Sequence, residues 1–390
     1  MKAFTLRIVL ILSSGLLSNA CAVTTVEPQQ EGHDGNALVL ATASGLSMPQ
    51  VLQSLADERL IYVGETHTRY ADHMLQLSVL RSLPADQVSL GVEWFQARFQ
   101  PALDAYLDGR IDEAEMLRRT EYFDRWGFDY RLYRPIIRYA REQGIPIIAL
   151  NASRELVNAI RESGLEGLSE EMKAELPDGY DFSDSRYEQL LQVVFEQHNR
   201  DQQAFERFRD IQLTWDETMA QNVARYLQQH PARRMLVLAG RGHLSGRHGI
   251  PQRVTRRIGE RGVLLASYAP GVPAREQADY LVLDEDIPLP PKGLMGALLD
   301  IDGDRIHIQG FTPGSVAEAA GVNSDDRIVA VDGETTTDLT HFKLQMMDKR
   351  PGERIALRVS RKGLFGREKE LSFEFELKGA AQPGMGHPGR

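Results

Sequence analysis

Two short motifs each follow an apolar run: Gly64-Glu65-Thr66-His67 after 60–63, and Gly240-Arg241-Gly242-His243 after 235–239. Two more runs end in a polar group. Residues 88–92 lead into Glu93-Trp94-Phe95, and 147–150 lead into Asn151. Two imidazoles (His67, His243), two carboxylates (Glu65, Glu93), an amide and the Arg241 guanidinium are enough to hold a ligand or a divalent metal. The spacing is not His-Glu-x-x-His and no cysteine pair exists, so spacing alone leaves open a plainer reading, in which these groups cap helices and bond to one another. Gly240-Arg241-Gly242 is also a fragment of a dinucleotide loop. The next glycine, Gly246, falls one place late and the unit is not the first strand–helix turn, which excludes NAD.

The elements that must position these groups alternate along the chain. Short apolar runs at 60–63, 88–92, 145–150, 235–239 and 263–266 are separated by amphipathic stretches such as 71–83, 133–143 and 215–229. That alternation predicts an α/β domain, a mostly parallel sheet flanked by helices, with 152–185 as a helical insertion. In a parallel sheet all strand C-termini lie on one edge, where open α/β folds bind ligands. Glycine at such ends lets the backbone turn sharply and approach a neighbour closely.

Aromatic residues gather at Tyr122, Phe123, Trp126, Phe128, Tyr130 and Tyr133, interleaved with Arg125, Arg131 and Arg134. Trp94, Phe95 and Phe99 form a second group. Flat apolar faces with bidentate cations suit a planar ligand carrying acidic substituents. The same rings could simply pack a helical subdomain against the sheet.

On these residues the chain resembles the ChaN-like haem-binding lipoprotein family of the Tiki superfamily. The likeness runs in order through Gly64–His67 and His73, Gly91-Val92-Glu93-Trp94-Phe95, Pro101-Ala102-Leu103, Tyr106-Leu107-x-Gly109 and Tyr133-Arg134-Pro135. It continues through Ala149-Leu150-Asn151, Trp215-Asp216-Glu217-Thr218-Met219-Ala220, and Ala239–His243 with Gly249-Ile250-Pro251. The resemblance implies haem binding in bacterial iron acquisition by a lipid-anchored protein, with haem held between the two subunits of a homodimer. It points to His67, His73, Glu93, Trp94, Asn151, Arg241, His243 and His248 as cofactor-binding. In that family a tyrosine is the expected iron ligand; His248 stands where an aromatic such as Tyr is expected, and imidazole also ligates haem iron. The wider superfamily implies a rival activity, metal-dependent proteolysis, in which His67 and His243 hold a divalent metal and Glu65 or Glu93 activates its water.

Residues 292–378 resemble a PDZ domain, β-rich with few helices. Lys292-Gly293-Leu294-Met295-Gly296-Ala297 is similar to its carboxylate-binding loop, and Gly314-Ser315-Val316-Ala317 through Asp332-Gly333 to the segment that follows. The resemblance implies capture of a protein or peptide C-terminus at Gly293, Leu294, Met295 and Gly296, with 338–347 as the groove's helical wall.

The remaining sequence bounds the setting. Lys2 and Arg7 precede a short apolar run that ends in Ser18-Asn19-Ala20-Cys21. The run is too short to cross a bilayer but suits a signal peptide, and Cys21, the only cysteine, is placed for lipid attachment. Ala22 leans towards the outer membrane, facing the periplasm. The expected organisation is a lipoprotein signal at 1–20, a tether at 21–45, the haem-binding domain at 46–285, a Pro-rich linker at 286–291, the PDZ domain at 292–378 and a disordered tail at 379–390. A net charge of −10 leaves no basic field for a nucleic-acid partner.

Overall fold

A computed structural model describes residues 7–8, 46–196, 202–270, 277–283, 285–363 and 366–379. Cys21, the 21–45 tether, the tail beyond Gly379 and all of the expected leader except Arg7–Ile8 lie outside the described residues. The chain divides into two compact units between Pro288 and Leu289. Among the described residues no helix is long and apolar enough to cross a membrane.

The first unit is built on parallel strands β1 (Arg7–Ile8), β2 (Leu60–Glu65), β3 (Val88–Gln96), β4 (Ile147–Asn151), β5 (Arg234–Gly240), β6 (Val263–Ser267) and β7 (Tyr280–Val282). Their order across the sheet is β1-β7-β6-β2-β5-β3-β4. Every residue of β2 is buried, as expected when helices cover both faces and the strand reads as one apolar run. On one face the helices Gln202–Gln229 and Ile250–Ile258 place Met219, Val223, Leu227 and Val254 against Tyr62, Val237 and Leu264. The helices Tyr70–Ser82 and Arg134–Glu142 bury Val79, Leu80, Ile136 and Ile137 elsewhere in the core.

Two elements differ from the periodicity. The amphipathic stretch at 215–229 is the second half of a 28-residue helix, because its first half carries polar residues on most faces. β3 does not stop at Val92 but runs on to Gln96. Its pairing with β4 jumps from Val92↔Ala149 to Gln96↔Asn151. Glu93, Trp94 and Phe95 form the irregularity, and such a bulge re-aims side chains at a sheet edge.

The second unit has strands β8 (Ala297–Asp302), β9 (Arg305–Phe311), β10 (Arg327–Val331), β11 (Glu334–Thr335), β12 (Arg354–Lys362) and β13 (Glu368–Glu376). They form an antiparallel sheet in the order β13-β12-β10-β9-β8, with β11 on β10. Ile306, Ile308, Phe342, Leu357 and Phe375 fill its core. The helix Leu339–Met347 starts where Asp338 accepts a hydrogen bond from the His341 N–H at 3.0 Å, an N-cap.

Candidate functional site

The strand order explains how the site assembles. β2, β5 and β3 are neighbours, and the register sets Glu65 beside Gly240 and Val92 beside Leu238. Both Gly-x-x-His motifs and Glu93 therefore meet at one edge of the sheet. Glu65 and Glu93 are buried there, and buried carboxylates require partners.

Glu65 Oε1 lies 2.6 Å from His67 Nδ1. Its other oxygen is buried without a hydrogen bond, 3.8 Å from His73 Nε2. Burial pushes the Glu65 carboxyl up to about 7, against the pull of His67. Burial alone would lower His67, but the bond to Glu65 and that group's charge outweigh it and raise the imidazole. A carboxylate on Nδ1 fixes the tautomer and makes the opposite nitrogen, Nε2, the better ligand. The His67 ring packs against Trp126 and Phe128, with centroids 4.9 and 4.6 Å away. It also lies directly over Gly240, where a Cβ would come within 2.7 Å of His67 Cε1. The glycine is needed for that close approach.

His243 is held from both sides. Its Nδ1 is 2.6 Å from Asp216 Oδ1, and its Nε2 is 3.4 Å from Glu93 Oε1. Asp216 also accepts the Tyr187 hydroxyl at 2.5 Å, and the Gly240 N–H donates to Glu93 Oε2 at 2.6 Å. Burial opposes the His243 cation, but Asp216 and Glu93 raise it well above its ordinary value. Burial opposes the Glu93 anion too, and His243, His67 and the Gly240 N–H lower it. The result is a buried hydrogen-bonded chain from Tyr187 to Gly240, in which one imidazole serves two carboxylates.

These groups open onto a cleft of about 480 Å³. His67, Glu93, Trp94, Asn151 and His243 line it, as do Trp126, Phe128 and Trp215. All three tryptophans of the chain face this one space. Asn151 steadies its wall by donating from Nδ2 to Glu93 O at 3.0 Å.

Three expected ligand residues take other roles. His73 is fully buried, its ring nitrogens against His67 O and Gln76 Oε1, and burial lowers it to about 4. It braces the His67 loop as a neutral ring. Arg241 donates to Ser267 O at 3.2 Å and lies 3.9 Å from Asp72, and it is not in the cleft's lining. His248 contacts Asp184 at 2.9 Å and is absent from the lining. Nor do all the interleaved arginines serve the cleft: Arg131 pairs with Asp129 and Arg134 with Glu113, leaving Arg125. The expected metal pair also changes. Among the described residues the metal-competent group is Glu65, His67 and Glu93, with ligand atoms within 4.8 Å of one another. His243 is outside that group, with its two nitrogens facing Asp216 and Glu93.

Asp216, Trp215, Arg154 and Arg161 belong to the site but carry no strand-end signal. They sit on helices, where an acid or arginine reads as an exposed side chain. The family likeness at 215–220 was the one available pointer.

The family model for "Haem-binding uptake, Tiki superfamily, ChaN" matches residues 51–254. The chain belongs to this family. A PDZ domain matches residues 286–360. This ChaN-like chain is similar in fold to a solved structure described as cofacial heme binding to ChaN of Campylobacter jejuni. The TM-score is 0.50 at 18% identity, covering 62% of this chain and 93% of that one. It is also 30% identical over 148 residues to the chloroplastic protein RETICULATA-RELATED 5 of Arabidopsis thaliana, which covers 35% of this chain and 20% of that relative. The ChaN-like chain thus spans about a fifth of that relative's length. A peptide-bound PDZ domain of a carboxy-terminal protease from Vibrio cholerae matches 24% of this chain and all of that one, at 21% identity and a TM-score of 0.19.

In the PDZ unit the loop Gly293–Gly296 is only partly free to receive a carboxylate. The Gly293 N–H donates to Lys349 O and the Leu294 N–H to Lys378 O, both at 2.7 Å. Leu294 and Lys378 form a bridge of the fold itself, so the amide expected to bind peptide at Leu294 is occupied. Among the described residues the Met295 and Gly296 N–H groups have no backbone acceptor. Gly296 has φ +77°, and a Cβ there would lie 2.8 Å from Ser315 Cα.

Proposed function

We propose that this chain binds haem in the strand-end cleft, with His67 Nε2 as the protein's iron ligand. The observation that supports it most is that Trp94, Trp126, Phe128 and Trp215 line one cleft with His67, whose ring packs on Trp126 and Phe128 and whose Nδ1 is fixed by Glu65. An aromatic floor suits a macrocycle, and a carboxylate-backed imidazole suits iron. Among the described residues no tyrosine lines the cleft, so the ligation differs from the tyrosine expected of the family. Haem added to the purified apo-protein is expected to give a Soret band that His67→Ala shifts or abolishes. An unchanged spectrum in His67→Ala would sink the assignment.

A second reading has one specific observation behind it. Glu65 Oε2 is buried without a hydrogen bond beside His67 and Glu93, and a divalent cation would satisfy it. Metal analysis of protein purified without chelator, with a chelator-sensitive cleavage assay, separates the two: bound zinc or manganese with no Soret band supports a hydrolase.

The wider role follows from the haem reading: iron acquisition by an exported protein anchored through a lipid on Cys21, with a PDZ module that recruits a protein C-terminus. Metabolic labelling with a fatty acid, lost in Cys21→Ser, tests the anchor. The Campylobacter relative's cofacial haem is the ground for proposing a haem-dependent homodimer, and sedimentation with and without haem tests it.

A further inference from the structure

Aromatic rings account for the floor of the cleft but not for its charge. One wall is the helix Arg154–Ser163, from which Arg154, Val157, Asn158 and Arg161 all line the cleft. Their spacing of three, four and seven residues is a single stripe of a helix. It sets the two guanidinium-bearing positions about 10 Å apart along the axis. Both arginines are exposed. Among the described residues neither forms an ion pair: Arg154 donates to Asp124 O, and Arg161 donates to Asn158 Oδ1 at 2.5 Å.

The other charged groups of the cleft are paired. Arg125 lies 2.8 Å from both Glu155 and Glu121. Glu93 shares the His243 ring with Asp216, and Glu65 is bonded to His67. Two uncompensated cations thus stand on one rim of an aromatic cleft, in a chain whose net charge is −10.

We propose that Arg154 and Arg161 form an anion-selecting rim, so that the cleft prefers a flat aromatic ligand carrying two carboxylates along one edge. The proposal rests on the haem reading, in which those carboxylates are the two propionates. It differs from the sequence expectation, which placed the acid-binding arginines at 125–134. Guanidinium–carboxylate contacts are charge-assisted and bidentate. In open solvent each is worth little, but beside an apolar wall that excludes water it counts for more.

The three tryptophans report occupancy without reference to iron, because a bound porphyrin quenches them. Quenching and absorbance titrations would compare haem with its dimethyl ester, which keeps the ring and iron but carries no charge on the edge. Wild type is expected to bind the ester about tenfold more weakly than haem, one decade per 1.4 kcal/mol. Arg154→Gln/Arg161→Gln is expected to weaken haem by that factor and leave the ester unchanged. Equal affinity of wild type for both ligands overturns the proposal without any variant, and so does a parallel loss of both ligands in the double variant. If wild type shows neither quenching nor a Soret band with haem, the haem reading falls and takes this inference with it. A Soret band with no preference for the free acid removes only the rim.

Discussion

Replacing Asp216 by Asn should dismantle the support of His243 while leaving the cleft's lining in place. Asp216 is buried and accepts two bonds, from His243 Nδ1 at 2.6 Å and from the Tyr187 hydroxyl at 2.5 Å. An amide offers one oxygen and one NH2, so whichever way it turns, one of the two donors meets an N–H. The variant loses a charge-assisted bond, about 1.5–3 kcal/mol, and leaves a buried donor unpaired, about 1–3 kcal/mol. Together these come to about 2.5–6 kcal/mol, which brackets the about 3–5 kcal/mol that removing one partner of a buried ion pair costs. The sign with pH follows from His243, whose folded pKa is raised well above its ordinary 6.5. Its stabilisation is fully present below that ordinary value and is lost as pH rises through the folded one. The gap between wild type and Asp216→Asn should therefore be widest near pH 6 and narrow towards alkaline pH. Denaturant unfolding across pH, with NMR titration of the His243 ring, measures both effects. A loss below about 1 kcal/mol with an unmoved His243 titration would refute the reasoning.

Gly240→Ala places a Cβ 2.7 Å from His67 Cε1; since the ring can swing away, it should cost about 1–3 kcal/mol yet remove the Soret band, checked by thermal melting beside haem titration. His248→Ala, whose imidazole faces Asp184 and not the cleft, should leave the haem spectrum unchanged. Gly296→Ala forces a side chain into φ +77° against Ser315 and should abolish PDZ binding of a labelled peptide ending in a free valine carboxylate. Fluorescence anisotropy reads it, and the amidated peptide should bind wild type no better than the variant binds the free acid.

Much of the site was legible because strand ends are local. Glu65, His67, Glu93, Asn151 and His243 each follow an apolar run, and burial forces those runs into a sheet. What failed to read correctly was polar chemistry decided across the fold. His73, Arg241 and His248 have ligand-like side chains, and nothing nearby in the chain shows that His67 O, Ser267 O and Asp184 occupy them. Asp216, Arg154 and Arg161 were overlooked for the converse reason. On a helix, facing inward or outward is settled by which neighbour packs there.

The sequence by itself determined that this is an α/β domain followed by a PDZ domain, with its polar residues at strand ends, since hydrophobic periodicity and glycine placement are properties of the chain. Only the tertiary structure decided that β5 lies between β2 and β3. That order brings two Gly-x-x-His motifs separated by more than 170 residues and the Glu93 bulge to one edge. It also left His67 with a free Nε2 while enclosing His243 between two carboxylates. The physical reason is that strand order and buried pairing are set by long-range packing and desolvation, which no local run of residues encodes.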